Sequence, residues 1–262
     1  MKIVYLGDVV GKCGRDAVIK MIPQLKRELK FDALIVNVDN AAHGFGCTPK
    51  IAKAILAAGA SALVSGDHVW DQKELSDFLN DNKRIVRPLN YPDTLAGQGF
   101  QIIPLDTGKK LLLSEVVGRV FMENVENGTE KLEALLEKYR LKHEVDAVFI
   151  DMHAEATAEK QALAHYFDGK VSAVIGSHTH VPTSDCVILP LGTAYQSDAG
   201  MCGNYDSVIG FDERAPMERL KDKNSSTRLE PKGGKATLCG TYIEIDDKTG
   251  LAIKIEALKY NE

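Results

Sequence analysis

The sequence predicts an α/β fold built on central, mostly parallel sheets. Three observations carry that expectation: short apolar β-rich runs alternate with amphipathic helical stretches, most runs are uniformly apolar instead of alternating, and polar residues repeatedly follow them. At 262 residues, 44% hydrophobic and 26% charged, the chain has ordinary globular composition and length for a sizeable core. A single domain spanning residues 1–262 is expected, since dividing the length by about 150 gives between one and two.

The first strand is expected at Lys2–Leu6, with no basic leader or cleavage site before it, as in an unexported protein. Ala33–Val38, Ala62–Ser65, Leu111–Val116, Ala147–Ile150 and Ser172–Ile175 read as further strands. Between them, Thr48-Pro49 offers an N-cap followed by proline at the first helical position, and Asp71 with Glu74 forms a capping-box-like pair. Trp70 would open that second helix as a packing anchor. Thr129 opens a third, whose Leu132, Leu135, Leu136 and Tyr139 share one face while Glu130, Lys131, Glu133, Glu137 and Lys138 take the other. Glu213–Gly234 is the most polar stretch and reads as an exposed, mobile excursion. Ala236–Ile245 and Leu251–Leu258 read as a closing hairpin around Asp246–Gly250.

Composition excludes several classes. No apolar run approaches the ~18–20 residues that cross a bilayer. A net charge of −5 without a basic stripe argues against a dedicated nucleic-acid groove, although a bound metal would still attract anions locally. Five scattered cysteines without a C-x-x-C pair suit reduced thiols and a cytoplasmic location.

The chemistry lies at the strand ends. Asp8, Asp39-Asn40, Asp67-His68, His153, and His178 with His180 each follow an apolar run, and loops leaving the carboxyl ends of parallel strands converge on one crevice. A lone Asp there is more often a turn former or helix cap. Together, these carboxylates, one amide and the imidazoles suit a mixed oxygen and nitrogen site for one or two divalent ions, with manganese, iron or zinc favoured over magnesium. Two ions about 3.5–4 Å apart would share a carboxylate, activate a bridging water and clamp a phosphoryl displacement. Gly7, Gly11 and Gly14 lack nucleotide-loop spacing and are expected to let the backbone turn near the metals, with Arg15 at a helix start near a phosphate. His43 falls in a glycine-flanked loop, in reach of substrate or free in solvent. His143 and His165 read as surface or packing residues, and Cys13 and Cys47 as unreactive small residues.

Gly7-Asp8-Val9-Val10-Gly11, Asp39-Asn40-Ala41-Ala42-His43-Gly44, Gly66-Asp67-His68-Val69-Trp70-Asp71, Asp151-Met152-His153-Ala154-Glu155-Ala156-Thr157 and Gly176-Ser177-His178-Thr179-His180-Val181 resemble the YmdB-like branch of the calcineurin-like metallophosphoesterases. Gly192-Thr193-Ala194-Tyr195 and Asp198-Ala199-Gly200-Met201 extend the resemblance nearly end to end. It implies a four-layer α/β sandwich with a two-metal centre of divalent or mixed-valence ions, hydrolysing phosphodiesters that include 2′,3′- or 3′,5′-cyclic nucleotides by a bridging hydroxide. Asp8 and His180 would hold one metal, Asp67, His153 and His178 the other, Asp39 would bridge, Asn40 would complete the cluster or orient the phosphate, and His68 would protonate the leaving oxygen. The resemblance also makes a homo-oligomer plausible.

Two positions depart from the family pattern, which has Glu at the position of Asp39 and Asn at that of Asp67. Asp8, Asp39 and Asp67 together carry one more negative charge than the family pattern does, so the cluster is expected to hold metal more tightly and act as a weaker Lewis acid. Three alternatives stand beside the phosphodiesterase: a phosphomonoesterase, a low-turnover metal-dependent nucleotide-binding regulator, and a purely structural metal site.

Overall fold

In the computed structural model, which describes all 262 residues, the apolar runs become strands of two sheets. The chain begins with β1 (Lys2–Leu6), β2 (Asp8–Val9), α1 (Gly11–Leu29), β3 (Ala33–Asn37), α2 (Pro49–Ala58), β4 (Ala62–Val64), α3 (Leu75–Asp81) and β5 (Ile85–Val86). It continues through β6 (Phe100–Pro104), β7 (Lys110–Val117), α4 (Gly128–Lys138), β8 (Ala147–His153), α5 (Thr157–Tyr166), β9 (Ala173–Ser177), β10 (Val187–Ile188) and β11 (Ala194–Gln196). The last elements are β12 (Met201–Gly203), α6 (Arg214–Lys221), β13 (Thr237–Ile245) and β14 (Ala252–Asn261). One sheet runs β2-β12-β13-β1-β3-β4-β5 with β14 also on β13; the other runs β10-β11-β9-β8-β7-β6. Seven strand pairings are parallel and five antiparallel.

Alternation along each strand explains why the runs are uniformly apolar. Ile3, Tyr5, Ile35 and Val64 face Leu111, Leu113, Phe149 and Ile175 of the other sheet. Their neighbours Val4, Leu34 and Val36 pack under α1 and α2, whereas Leu112, Val148 and Val174 pack under α4 and α5. The result is helix, sheet, sheet, helix, with both faces of the central strands buried. Each large side chain so buried contributes about 1.5–3 kcal/mol against exposure. Tyr5 and Phe149 stack across the sheets with centroids 5.3 Å apart.

Thr48 caps α2 as expected, its side chain accepting from Ile51 N. The helix expected at Asp71 begins at Leu75 instead, with no side-chain cap. Residues 68–74 form turns, and Trp70 there packs edge-on against Tyr91 at 4.8 Å. Asn127, not Thr129, caps α4, with Leu132 and Leu135 buried beneath it. The closing hairpin forms as β13 and β14. The polar excursion is exposed in its middle, but its ends are fixed: Lys232 Nζ donates to Glu213 Oε2 at 2.8 Å, and Cys13 Sγ donates to Lys232 O at 3.1 Å. No helix is long and apolar enough to cross a membrane, and all five cysteines are free.

Candidate metal centre

Parallel strands of both sheets end along the same edge, and the chemistry-bearing residues meet there. Asp8 opens β2, Asp39 and Asn40 follow β3, Asp67 and His68 follow β4, His153 is the last residue of β8, and His178 and His180 follow β9. His153 lies on its strand because pairing with β7 and β9 continues through Asp151 and Met152.

Three carboxylates line the interior. Asp8 is fully buried; its Oδ2 accepts from His178 N at 3.2 Å while Oδ1 has no partner. Asp39 accepts from His68 N at 2.9 Å, and its own N donates to Asn37 Oδ1 at 2.9 Å. Gly66, at φ +60, leaves room for that carboxylate, since a Cβ there would overlap Asp39 Oδ1. Asp67 Oδ1 lies 3.0 Å from His153 Nε2. Donor atoms of Asp67, His153 and His178, of Asp8, Asp39 and His153, and of Asp39, Asp67 and His68 form overlapping groups, each within 4.8 Å. Beside these groups, His180 Nε2 and Asn40 Oδ1 face each other at 3.0 Å.

The histidines are oriented from behind. Ser177 Oγ donates to Asp151 Oδ1 at 2.6 Å and therefore accepts from His153 Nδ1 at 2.9 Å, while Tyr5 OH donates to Asp151 Oδ2 at 2.6 Å. Ile209 O accepts from His180 Nδ1 at 2.7 Å. Asp71 Oδ2 takes His68 Nδ1 at 2.9 Å, and the Phe45 ring packs edge-on against His68 at 5.1 Å. His178 is turned the other way: Nδ1 faces His153 Nε2 at 3.2 Å, and Nε2 lies 3.4 Å from Glu155.

This donor set fits a cation. A neutral imidazole has one N–H, yet His153 and His180 each direct both nitrogens at acceptors. With Nδ1 donating backwards, Nε2 presents a lone pair towards Asp67 in one case and Asn40 in the other. Adding the lone pair of His178 and the orphaned Asp8 Oδ1, the unsatisfied acceptors converge as ligands of a positive ion do.

The titration shifts follow the same crowding. Burial pushes Asp39 up to about 7 and raises Asp8. Burial works to raise Asp67 as well, but its hydrogen bond with His153 and the charges of His153 and His68 bring it below the usual carboxylate range. For His153, burial is outweighed by Asp39, Asp67 and Asp8, and its pKa rises well above the ordinary value. His178, buried and beside His153, falls to about 3.

Several residues at this edge went unremarked as site residues in the sequence. Asp151 and Glu115 are charged residues inside fully buried strands, a pattern that demands partners. Glu115 accepts from Ser65 N at 3.1 Å and Gly66 N at 2.8 Å, holding the turn that carries Asp67 and His68. Ile209 gives no sequence signal, because only tertiary folding brings its carbonyl to His180. Other expectations change. Arg15 donates to Ala41 O, within the Asp39–Gly46 loop. Gly7 and Gly14 admit the close backbone of Gly200 and Cys202, not a metal. His43 is exposed, as are His143, before β8 at the opposite end of that strand, and His165. Burial raises the Cys13 thiol and pushes Cys47 up to about 12, so neither is activated.

Fold and site together define an α/β sandwich protein with a metal-binding Asp/His cluster at one strand edge. The family model described as "YmdB-like protein" matches residues 4–258, and the chain belongs to that family. A Bacillus subtilis (strain 168) protein named 2′,3′-cyclic-nucleotide 2′-phosphodiesterase is 43% identical over 262 residues, covering 100% of this chain and 98% of that one. Among solved structures, a hypothetical protein from Thermus thermophilus superposes with TM-score 0.92 at 37% identity, covering 100% of both chains. A structure described as a novel phosphatase from Mycoplasma pneumoniae superposes with TM-score 0.91 at 34% identity, covering 100% of this chain and 93% of that one. The fold is thus the metallophosphoesterase sandwich expected from the motifs.

Proposed function

We propose that this protein is a metal-dependent phosphodiesterase acting on small cyclic nucleotides, with 2′,3′-cyclic nucleotides as the substrate class. The observation that carries the reading is the set of overlapping donor groups formed by Asp8, Asp39, Asp67, His68, His153 and His178, with Asp8 Oδ1 left unpaired and His180 Nε2 facing Asn40 Oδ1 beside them. The name of the Bacillus relative supports the cyclic-diester choice.

Asp8, His180 and Asn40 would hold one divalent ion, Asp67, His153 and His178 a second, and Asp39 would touch both; the mixture of imidazoles and carboxylates favours manganese or iron. Bound there, such ions neutralise charge on a phosphoryl group and acidify water. His68 holds the proton for the leaving oxygen. Its Nδ1 is occupied by Asp71, which leaves Nε2 as the free donor, and its side chain is 29% exposed, so substrate can reach it. Phe45 and the His68 N bond to Asp39 fix the ring and backbone beside the cluster. The same reading takes residues 1–262 as one domain, because the inter-sheet core draws on residues from Met1 to Ala252 and the cluster on both sheets.

Metal-stripped protein titrated with Mn²⁺ against bis(p-nitrophenyl) phosphate, then against 2′,3′-cyclic AMP, tests this. Saturable, metal-dependent release supports it. Metal bound without diester turnover, or faster turnover of a matched monoester, overturns it.

A further inference from the structure

Beneath the His178–His180 loop lies a charge pair with no part in the proposed chemistry. Lys160 on α5 and Asp198, between β11 and β12, are each 1% exposed. Lys160 Nζ donates to Asp198 Oδ2 at 3.0 Å and to Ser177 O at 2.7 Å. The same Oδ2 accepts from Thr179 N at 3.0 Å and Thr179 Oγ1 at 2.8 Å, while Oδ1 accepts from Gly200 N at 2.8 Å. Thr179 is thereby held through both backbone and side chain. Its neighbours His178 and His180 have φ of 94° and 66°, the left-handed region that non-glycine residues seldom occupy. Two such residues flanking one pinned threonine persist only where their surroundings over-determine them, and the bonds onto Asp198 do so here.

A buried ion pair adds little stability that a well-packed apolar pair would not match. A purely architectural need would therefore not require charge at this position. What a carboxylate provides is acceptor capacity for four donors at once, and Lys160 is one of the four.

We propose that Lys160 and Asp198 are positioning residues that hold the His178-Thr179-His180 loop in the one geometry presenting both imidazoles to a divalent cation. This rests on the reading of His178 and His180 as ligands.

Mn²⁺ affinity of metal-stripped protein is measured by calorimetry, alongside the metal-free melting temperature, for Lys160→Met, Asp198→Asn and the double variant. Each single variant should lose affinity about 10–100-fold and melt lower. The double variant, with no orphaned charge, should regain melting temperature without regaining affinity. Thr179→Val, which leaves the pair intact and removes only the hydroxyl contact, should bind Mn²⁺ about tenfold more weakly, and it covers the case in which the single variants do not fold. Wild-type affinity in Thr179→Val or in the folded single variants overturns the proposal, as does affinity recovering in step with melting temperature in the double. In parallel, His180→Ala separates the two levels of argument. If it binds Mn²⁺ normally, the ligand reading fails and the proposal falls with it; if it loses binding while Lys160→Met and Asp198→Asn keep theirs, the proposal alone fails.

Discussion

Gly66→Ala tests whether the Asp39 carboxylate is held in place by the turn beside it. A methyl at position 66 would overlap Asp39 Oδ1 and lie 2.3 Å from Asp39 Cγ. An ordinary carbon contact is about 3.5 Å, so one side must give by about 1.2 Å. Neither is free to do so: Glu115 grips Gly66 N at 2.8 Å, and Asn37 grips Asp39 N at 2.9 Å. The left-handed φ of +60 adds about 1–2 kcal/mol for a residue with a Cβ, which for a chain of this size lowers the melting temperature by roughly 2–8 °C. Displacement of the carboxylate is the larger functional effect. It exceeds the ~0.2 Å tolerance of a metal–ligand distance and loosens the His68 N bond to Asp39, so turnover should fall on the order of 10²-fold and Mn²⁺ affinity with it. Calorimetric Mn²⁺ titration, a thermal melt and diester hydrolysis read the three effects separately. If Gly66→Ala melts a few degrees lower yet binds Mn²⁺ and turns over within twofold of wild type, Asp39 is not a ligand set by this turn.

Three further outcomes follow from the cluster. Burial works against protonation of His68, but Asp39, Asp67 and Asp71 raise its pKa above the ordinary 6.5; a proton donor stays active up to that raised value and is lost as pH climbs through it. With cations at Asp39 and Asp67, Asp71 is the contributor that remains, so Asp71→Asn should move the falling limb of the kcat–pH profile to lower pH, and an unmoved limb removes His68 from the donor role. Asp67→Asn takes one negative charge from the cluster and should weaken Mn²⁺ binding while raising turnover per bound metal; unchanged occupancy and turnover contradict the charge argument. Finally, chelator-stripped protein given Mn²⁺ at about 100 times its Kd should gain about 2.7 kcal/mol, a rise in melting temperature of roughly 5 °C or more, and a melt that does not move argues against a cation site in the folded state.

How much was legible in the sequence differed with the source of each signal. Strands such as Ala33–Asn37 were visible because both of their faces are buried, which writes a continuous apolar run into the chain. The residues that gather in the Asp/His cluster were visible because each follows or ends such a run. The helix start at Asp71 misled for a physical reason: a carboxylate near a helix beginning looks like a cap, but this one is committed to His68 Nδ1, and α3 begins four residues later. Elements of two or three residues such as β10, β11 and β12 are too short to show a period. Positioning groups divide similarly. Asp151 and Glu115 were missed although a charge inside or directly after an apolar run was there to be noticed, whereas the Ile209 carbonyl depends on a 29-residue separation closing in space.

The protonation of the cluster links its folding to its chemistry. Asp8, Asp39, Asp67, Glu115 and Asp151 crowd one edge of the sandwich, and the only fully buried imidazole among them is His153. Without a cation, protons settle that imbalance: burial lifts Asp39 to about 7 and Asp151 to about 6, and the surrounding carboxylates lift His153 against its own burial. Divalent ions held there would serve the same balance better, because they would take up the lone pairs of His153 and His178 and the unpaired Asp8 Oδ1, which no single proton can do. A metal ion bound there would compete with protons for these atoms, so its binding is expected to strengthen as pH rises through the shifted values. His68 stands apart from this exchange, since its Nδ1 is tied to exposed Asp71 instead of to the interior. On the proposed reading the cluster would shed its protons to cations while His68 would keep one for the leaving oxygen, a division of labour set by which carboxylate each imidazole faces.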